Sequence, residues 1–427
     1  MSRLIRPVSV IAGEVTLPGD KSISHRYAML SAVASGRSVL ENYATGEDCA
    51  STLACLRSLG VRWERSGDRV TIEGRGPDGL QPPSAPLDAG NSGTTMRMLS
   101  GILAGQPFES ELQGDASLSK RPMSRIIAPL RQMGAYIDGR DGQFPPLAIR
   151  GGGLRAVRYE LPVASAQVKS CVLLAGLFAP GETVVVEPVE TRDHTEIALR
   201  RLGAALSAEG GTISVRGPAS LVGQDTRIPS DISSAVFFLA TALLLPGSDL
   251  RIRGVGLNPT RAAVLQVLRR MGAGIEVHPE GQGAGELEGT LRVRGGRPLK
   301  GGEIAGATTA GVIDEIPMLA VLGAVSERGL RIRDGRELRV KETDRIDAVV
   351  TNLRRMGADV AEYPDGMDIR GRCRLRGAQL DSFGDHRVAM AFAVAALAAD
   401  GPSELRGAGA AAVSFPEFFS TLESVSA

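Results

Sequence analysis

Lysine is scarce in this chain: Lys21, Lys120, Lys169, Lys300 and Lys341 are the lysines among 49 lysines and arginines. Arginine stands almost wherever a generic positive charge would do. A lysine that remains marks a candidate site for a compact, titratable ammonium instead of a planar fork. Cysteine and histidine are scarce too, at four each. Cys49, Cys55, Cys171 and Cys373 form no CxxC pair, and no spacing suits zinc, so a reducing cytosol and no metal are expected. Aromatic residues make up 4% and the net charge is +1. Neither a stacking platform for single strands nor a broad positive field for nucleic acid is available. The longest apolar run, Ala235 to Leu245, falls far short of the ~20 residues that span a bilayer. The segment Met1 to Val15 carries Arg3, Arg6 and Glu14 and lacks the apolar core of a signal peptide. A soluble, cytoplasmic protein is expected, and 427 residues are enough for two or three domains.

What is abundant is repetition. Arg57-Ser-Leu-Gly-Val61, Arg131-Gln-Met-Gly-Ala135, Arg201-Leu-Gly-Ala204, Arg270-Met-Gly-Ala273 and Arg355-Met-Gly-Ala358 each read as a helix stopped by a left-handed glycine. A strand, a turn and another strand follow, as in Ala358 to Tyr363, Pro364-Asp-Gly and Met367 to Arg370. A second, more apolar helix belongs to each repeat, and there are six: Asp20 to Gly36, Asn91 to Gly105, Ser165 to Gly181, Ser230 to Gly247, Ile313 to Gly329 and Asp385 to Gly401. Cores such as Ala389 to Leu397 are apolar on every face and need protein all round them. The unit is β, buried α, β, amphipathic α, β, β. Units this long and irregular suit closed packing better than a linear solenoid. The expected fold is α/β (α+β), with two domains of three βαβαββ units around buried parallel helices. Residues 18–227 form one domain, 1–17 with 228–427 the other, with a hinge near Pro18 and Ile228.

Chemistry gathers where the buried helices begin: Gly19-Asp-Lys-Ser-Ile-Ser-His-Arg26, Gly90-Asn-Ser-Gly-Thr-Thr-Met-Arg97, Ser165-Ala-Gln-Val-Lys169, Ser230-Asp-Ile-Ser233, Ile313-Asp-Glu315 and Gly384-Asp-His-Arg387. Serine and aspartate there are ordinary N-caps. Lysine, histidine and arginine are not, because the end already carries about half a positive charge. A basic side chain beside free N–H groups is an anion site. Gly114-Asp-Ala-Ser-Leu-Ser-Lys-Arg-Pro122 and Arg339-Val-Lys-Glu-Thr-Asp-Arg345 add further cations. In the second, Lys341 and Arg345, four apart, are expected to share a helix face, with Glu342 offset. Lys21, Lys120, Lys169, Lys341, His25, His194 and His386 all lie in or beside such segments.

Together these motifs resemble the 5-enolpyruvylshikimate-3-phosphate synthases over essentially the whole chain. SAQVKS, Arg192-Asp-His-Thr-Glu196 and Asn258-Pro-Thr-Arg261 are similar to the class II branch. The resemblance implies the enolpyruvyl transferase fold, no cofactor, a monomer, and two substrates, shikimate 3-phosphate and phosphoenolpyruvate. Lys21, Ser22, Arg26, Ser165, Ala166, Gln167, Arg192, Asp314 and Lys341 would hold shikimate 3-phosphate. Lys21, Asn91, Gly93, Arg121, Gln167, Glu342, Arg345 and Arg387 would hold phosphoenolpyruvate. Val413 departs from the pattern, since many members have a lysine near the phosphate there.

The implied reaction is addition followed by elimination, which needs an acid at the methylene carbon and a base at the hydroxyl. Glu342 is the candidate acid, Asp314 the base, and Lys21 the group that steadies the departing phosphate. His386 completes the candidate catalytic set. The nearest alternative is the sister transferase acting on UDP-N-acetylglucosamine. It carries a cysteine on the loop occupied here by Ala116 to Lys120 and an asparagine at the place of Ser22. A non-catalytic anion binder would need neither Glu342 nor Asp314 among its cations. The family's inhibitor glyphosate resembles an extended phosphoenolpyruvate. Insensitive class II members have alanine where this chain has Gly93, so inhibition is expected here.

Overall fold

The computed structural model describes residues 2–426. The chain divides into two compact units: Met1–Pro18, Pro229–Gln282 and Glu286–Ala427 form one, and Gly19–Ile228 with Gly283–Gly285 the other. Each has its own hydrophobic core. In the unit of Gly19–Ile228, the helices Lys21–Val33, Gly93–Ala104 and Ala166–Gly176 are buried along most of their length. In the other, Ile232–Leu244, Ile316–Val325 and His386–Leu397 are buried on every face. All six stop short of the glycine that sequence periodicity suggests, because the chain is by then already turning toward the next strand; Ser35–Glu41, for example, follows Val33 after one residue.

Helix ends are set by local chemistry. Asp20, Ser92, Ser165, Asp231 and Asp385 each cap a buried helix by accepting a backbone N–H bond from its first turn. At the other set of helix ends, Gly60, Gly134, Gly203, Gly272 and Gly357 take φ values from +82° to +105°. A side chain at these positions would meet the left-handed penalty, which glycine avoids.

Among the described residues all six sheets share one pattern, in which the strand after the buried helix lies between a parallel partner and an antiparallel one. Glu109–Gln113, for instance, pairs in parallel with Leu87–Asp88 and antiparallel with Phe144–Arg150. The order within two units is permuted. Ala12–Thr16 precedes the first buried helix in sequence but pairs in parallel with Asp249–Gly256 of the fourth repeat. The first repeat takes its parallel partner from Thr226–Arg227, which pairs with Ser35–Glu41. The sixth repeat is incomplete, with three strands: Ser2–Ile5 pairs antiparallel with Ser403–Arg406, where a hairpin was expected. The chain instead continues into the short helix Phe418–Ser424, whose Phe418 packs edge-on against Phe237 and Phe238. Among the described residues no helix is long and apolar enough to cross a membrane.

Candidate active site

Each unit carries one cluster of the residues nominated from sequence. In the unit of Gly19–Ile228, Lys21 opens its helix and its Nζ lies 2.8 Å from Asp48 Oδ2. Arg26, one turn further on and buried, has its fork held by neutral groups. Nε donates to Thr195 Oγ1 at 2.7 Å, Nη2 to Ser170 Oγ at 3.0 Å and Nη1 to the Ser22 carbonyl at 2.8 Å. Arg121, also buried, donates through Nη2 to Asn91 Oδ1 at 2.8 Å, while Asn91 Nδ2 donates to Asp115 Oδ2 at 2.7 Å. A Cβ on Gly93 would lie 2.9 Å from Arg97 Nη1 and 3.5 Å from Arg121 Nη1, so two guanidinium groups crowd this helix start. Gln167 ties the next helix to it, accepting from Arg97 Nη1 at 2.6 Å and donating to Thr94 Oγ1 at 3.0 Å. Ser165 caps that helix with its oxygen, which leaves its hydroxyl proton for another acceptor. Ala166 is the first residue of the helix, and Arg192 stands on the loop before His194–Arg201.

Three residues of this unit that are not among the nominated substrate ligands belong to the cluster: Asp48, outside the motifs, and Thr94 and Arg97, inside the segment Gly90 to Arg97. Arg97 stands four residues after Gly93, one helical turn, and that spacing is the signal available for it. Two nominated cations do not belong. Lys169 is buried beside Glu187 at 2.9 Å and Glu196 at 2.6 Å, where it completes a structural ion triad. Burial pushes the Glu196 carboxyl above its usual range although Lys169 pulls the other way. His25 is fully buried, its Nδ1 2.7 Å from Thr52 Oγ1, and burial, Lys21 and Arg26 hold it well below the usual histidine value. Its place is the core under Lys21. Lys120 is exposed, unlike its neighbour Arg121.

In the other unit the cluster centres on Arg345. Its Nη2 lies 2.6 Å from Glu342 Oε2, its Nε 2.8 Å from Asp385 Oδ2 and its Nη1 3.5 Å from Asp314 Oδ1. Burial alone would lower the basicity of this guanidinium, but Asp385, Glu342 and Asp314 more than offset it and fix the positive charge. Lys341 does not share a helix face with Arg345. The helix starts only at Arg345, because Asp344 caps it by accepting from Ile346 N and Asp347 N. Lys341 and Arg345 meet instead on Asp314, with Lys341 Nζ 3.9 Å from Asp314 Oδ1. Asp385 caps the last buried helix through the N–H groups of Arg387 and Val388 at 2.7 and 3.2 Å. His386 and Arg387 are 2% and 5% exposed. The side chain of Arg387 makes no hydrogen bond or ion pair within the described residues, so a buried guanidinium stands ready for an anion. No group of three metal-ligating side chains occurs among the described residues.

Comparison with known proteins gives this arrangement its context. The family model described as EPSP synthase (3-phosphoshikimate 1-carboxyvinyltransferase) matches residues 5–422. A 3-phosphoshikimate 1-carboxyvinyltransferase of Solibacter usitatus is 59% identical over 425 residues, covering 100% of both chains. One of Shouchella clausii is 50% identical, covering 98% of this chain and 97% of its own. Among solved structures, an EPSP synthase from Acinetobacter baumannii superposes with a TM-score of 0.89 at 43% identity, covering 100% of this chain and 98% of that one. The enolpyruvyl transferase NikO from Streptomyces tendae, at 21% identity and a TM-score of 0.80, shares the fold. With a family match from end to end and half or more of its residues shared with these relatives, the chain belongs to the EPSP synthase family.

Proposed function

We propose that the two clusters act together to transfer the enolpyruvyl group of phosphoenolpyruvate to the 5-hydroxyl of shikimate 3-phosphate. The observation that carries this reading is Arg387, a nearly buried guanidinium whose side chain has no protein partner among the described residues. It stands two residues from Asp385, which holds Arg345. Arg387, Arg345, Arg121 and Lys21 meet the phosphate and carboxylate of phosphoenolpyruvate, with Asn91, Gly93, Gln167 and Glu342 completing its site. Ser22, Arg26, Ser165, Ala166, Gln167, Arg192, Asp314 and Lys341 take shikimate 3-phosphate, Lys21 also serving it. The two units hinge near Pro18 and Ile228 as the substrates bind. The enzyme works as a monomer in the cytoplasm.

Asp314 accepts the proton of the 5-hydroxyl as its oxygen bonds to C2 of phosphoenolpyruvate, while Glu342 gives a proton to C3. The tetrahedral product then loses phosphate as the bond from C2 to the phosphate oxygen breaks, and the C3 proton returns to the enzyme. Glu342 rests on Arg345 at 2.6 Å. The substrate carboxylate competes for Arg345, and the freed Glu342, now beside an anion, gains the proton affinity that an acid needs. Lys21 neutralises the departing phosphate as a point charge, with His386 beside the reacting centre. Phosphate release measured with purified enzyme tests the reading. Release should require both substrates, and Glu342→Gln should lower turnover by about 100-fold or more while binding persists. Release from phosphoenolpyruvate alone, or none with both present, rejects it.

A further inference from the structure

The motif Asn258-Pro-Thr-Arg261 takes no part in the two clusters, yet its arginine is buried at 3% exposure. Arg261 Nη1 donates to Glu315 Oε1 at 3.0 Å, and Nη2 donates to Ser233 Oγ, which in turn donates to the same Glu315 oxygen. Asp231 Oδ1 lies 3.8 Å from Nη2 and also caps the helix Ile232–Leu244. The motif is itself pinned: Asn258 Nδ2 donates to Glu286 Oε2 at 2.8 Å, and Asn258 Oδ1 accepts from Thr260 N at 2.9 Å. Glu315, 1% exposed, is the residue after Asp314. Its backbone is equally constrained, with N bonded to Val312 O at 2.9 Å and O accepting from the first turn of Ile316–Val325. Asp314 thus hangs between two fixed points. Its carboxylate is turned toward Arg345 and Lys341, and the neighbouring carboxylate is turned toward Arg261.

We propose that Arg261 and Glu315 are positioning residues, a buried ion pair that fixes the backbone of Asp314 and so aims its carboxylate at the substrate hydroxyl. Removing Arg261 alone would strand a buried charge on Glu315, whereas replacing both partners with apolar groups is close to neutral for folding. That difference separates positioning from packing. Arg261→Met should lower the melting temperature, and Arg261→Met with Glu315→Met should restore it. Turnover of the double variant should nevertheless stay about tenfold down, with the KM for phosphoenolpyruvate changed by less than about twofold, as expected when an interaction made only in the transition state is weakened. Arg261→Lys, which keeps the charge and loses the fork, guards against a double variant that fails to fold. It should show a kcat several-fold down with the same unchanged KM. Full kcat in either folded variant overturns the proposal. The inference rests on Asp314 acting as proposed above, which Asp314→Asn tests by itself. An inactive Asp314→Asn beside a fully active double variant rejects the pair's role alone, and a fully active Asp314→Asn rejects the role of Asp314.

Discussion

His25 and Lys21 stand one helical turn apart, yet only Lys21 reaches the candidate site. Lys21 is the first residue of its helix and keeps some exposure, whereas His25 is fully buried against Thr52. Within the described residues His25 Nε2 has no hydrogen-bond partner, so a proton there would be both buried and unpaired. The consequence for stability has a definite sign. Because the folded value lies below the ordinary 6.5, the unfolded chain binds the extra proton first as pH falls. The stabilisation is complete above about pH 6.5 and declines below it, at up to about 1.4 kcal/mol per pH unit until the folded histidine itself titrates. Urea unfolding of the natural sequence and of His25→Asn at pH 7.5 and 5.5 checks this. The variant should lose less stability between the two pH values, and equal losses would remove His25 from the acid response. The sequence points equally to Lys21, His25 and Lys169 as cations at helix starts. Motif chemistry names residue types, but whether a side chain one turn in faces the open end or the core depends on tertiary packing. For Lys169 that packing includes Glu187 and Glu196, both buried.

At the scale of elements, repetition is legible because each repeat carries its own punctuation: an N-cap, an apolar helix, and a left-handed glycine after the amphipathic one. Strand exchange is not legible. Thr226–Arg227 is a two-residue strand, too short to carry a hydrophobic period, and its pairing with Ser35–Glu41 is a long-range event. The incomplete sixth repeat is hidden for the same reason, since Ser2–Ile5 supplies its edge from the far end of the chain. On the proposed assignment, the helix start at Gly93 is an element that acts on specificity. An added methyl would press on the far end of Arg97, whose Nη1 lies 2.9 Å away and donates to Gln167, and stand 3.5 Å from Arg121. Flexible side-chain ends give way more easily than backbone, so folding should survive the change. If Gly93 borders the phosphoenolpyruvate site as proposed, the methyl would shorten it, which costs a longer occupant more. Glyphosate should therefore inhibit the enzyme as it stands, and Gly93→Ala should tolerate several-fold more inhibitor with a smaller rise in the KM for phosphoenolpyruvate. Each tenfold separation needs only about 1.4 kcal/mol of differential binding. Inhibition curves on both proteins decide the matter; full insensitivity of the natural sequence would show that pocket length is set elsewhere.

For the whole molecule, two separate hydrophobic cores mean that a single unfolding transition is not guaranteed. Each unit is long enough to hold itself together. A ligand that takes side chains from both should couple their melting, because it binds only when both are folded, and it adds about 2.7 kcal/mol at a concentration 100 times its dissociation constant. Shikimate 3-phosphate is such a ligand on the proposed assignment, with Ser22, Arg26 and Arg192 in one unit and Lys341 in the other. The single tryptophan provides an internal reporter. Trp63 lies in the unit of Gly19–Ile228, on the strand Arg62–Ser66, with its Nε1 donating to the Leu53 carbonyl at 2.7 Å. Its fluorescence follows that unit, and calorimetry follows both. Without ligand the two melting curves should diverge; with saturating shikimate 3-phosphate they should coincide at a higher temperature. Lys341→Met removes a ligand-binding ammonium from the unit without tryptophan, so the ligand should still raise the fluorescence transition while the calorimetric trace keeps a second, less shifted component. If shikimate 3-phosphate shifts only the fluorescence transition in the natural sequence, the assignment of Lys341 and Asp314 to that substrate fails, and its site lies wholly within Gly19–Ile228.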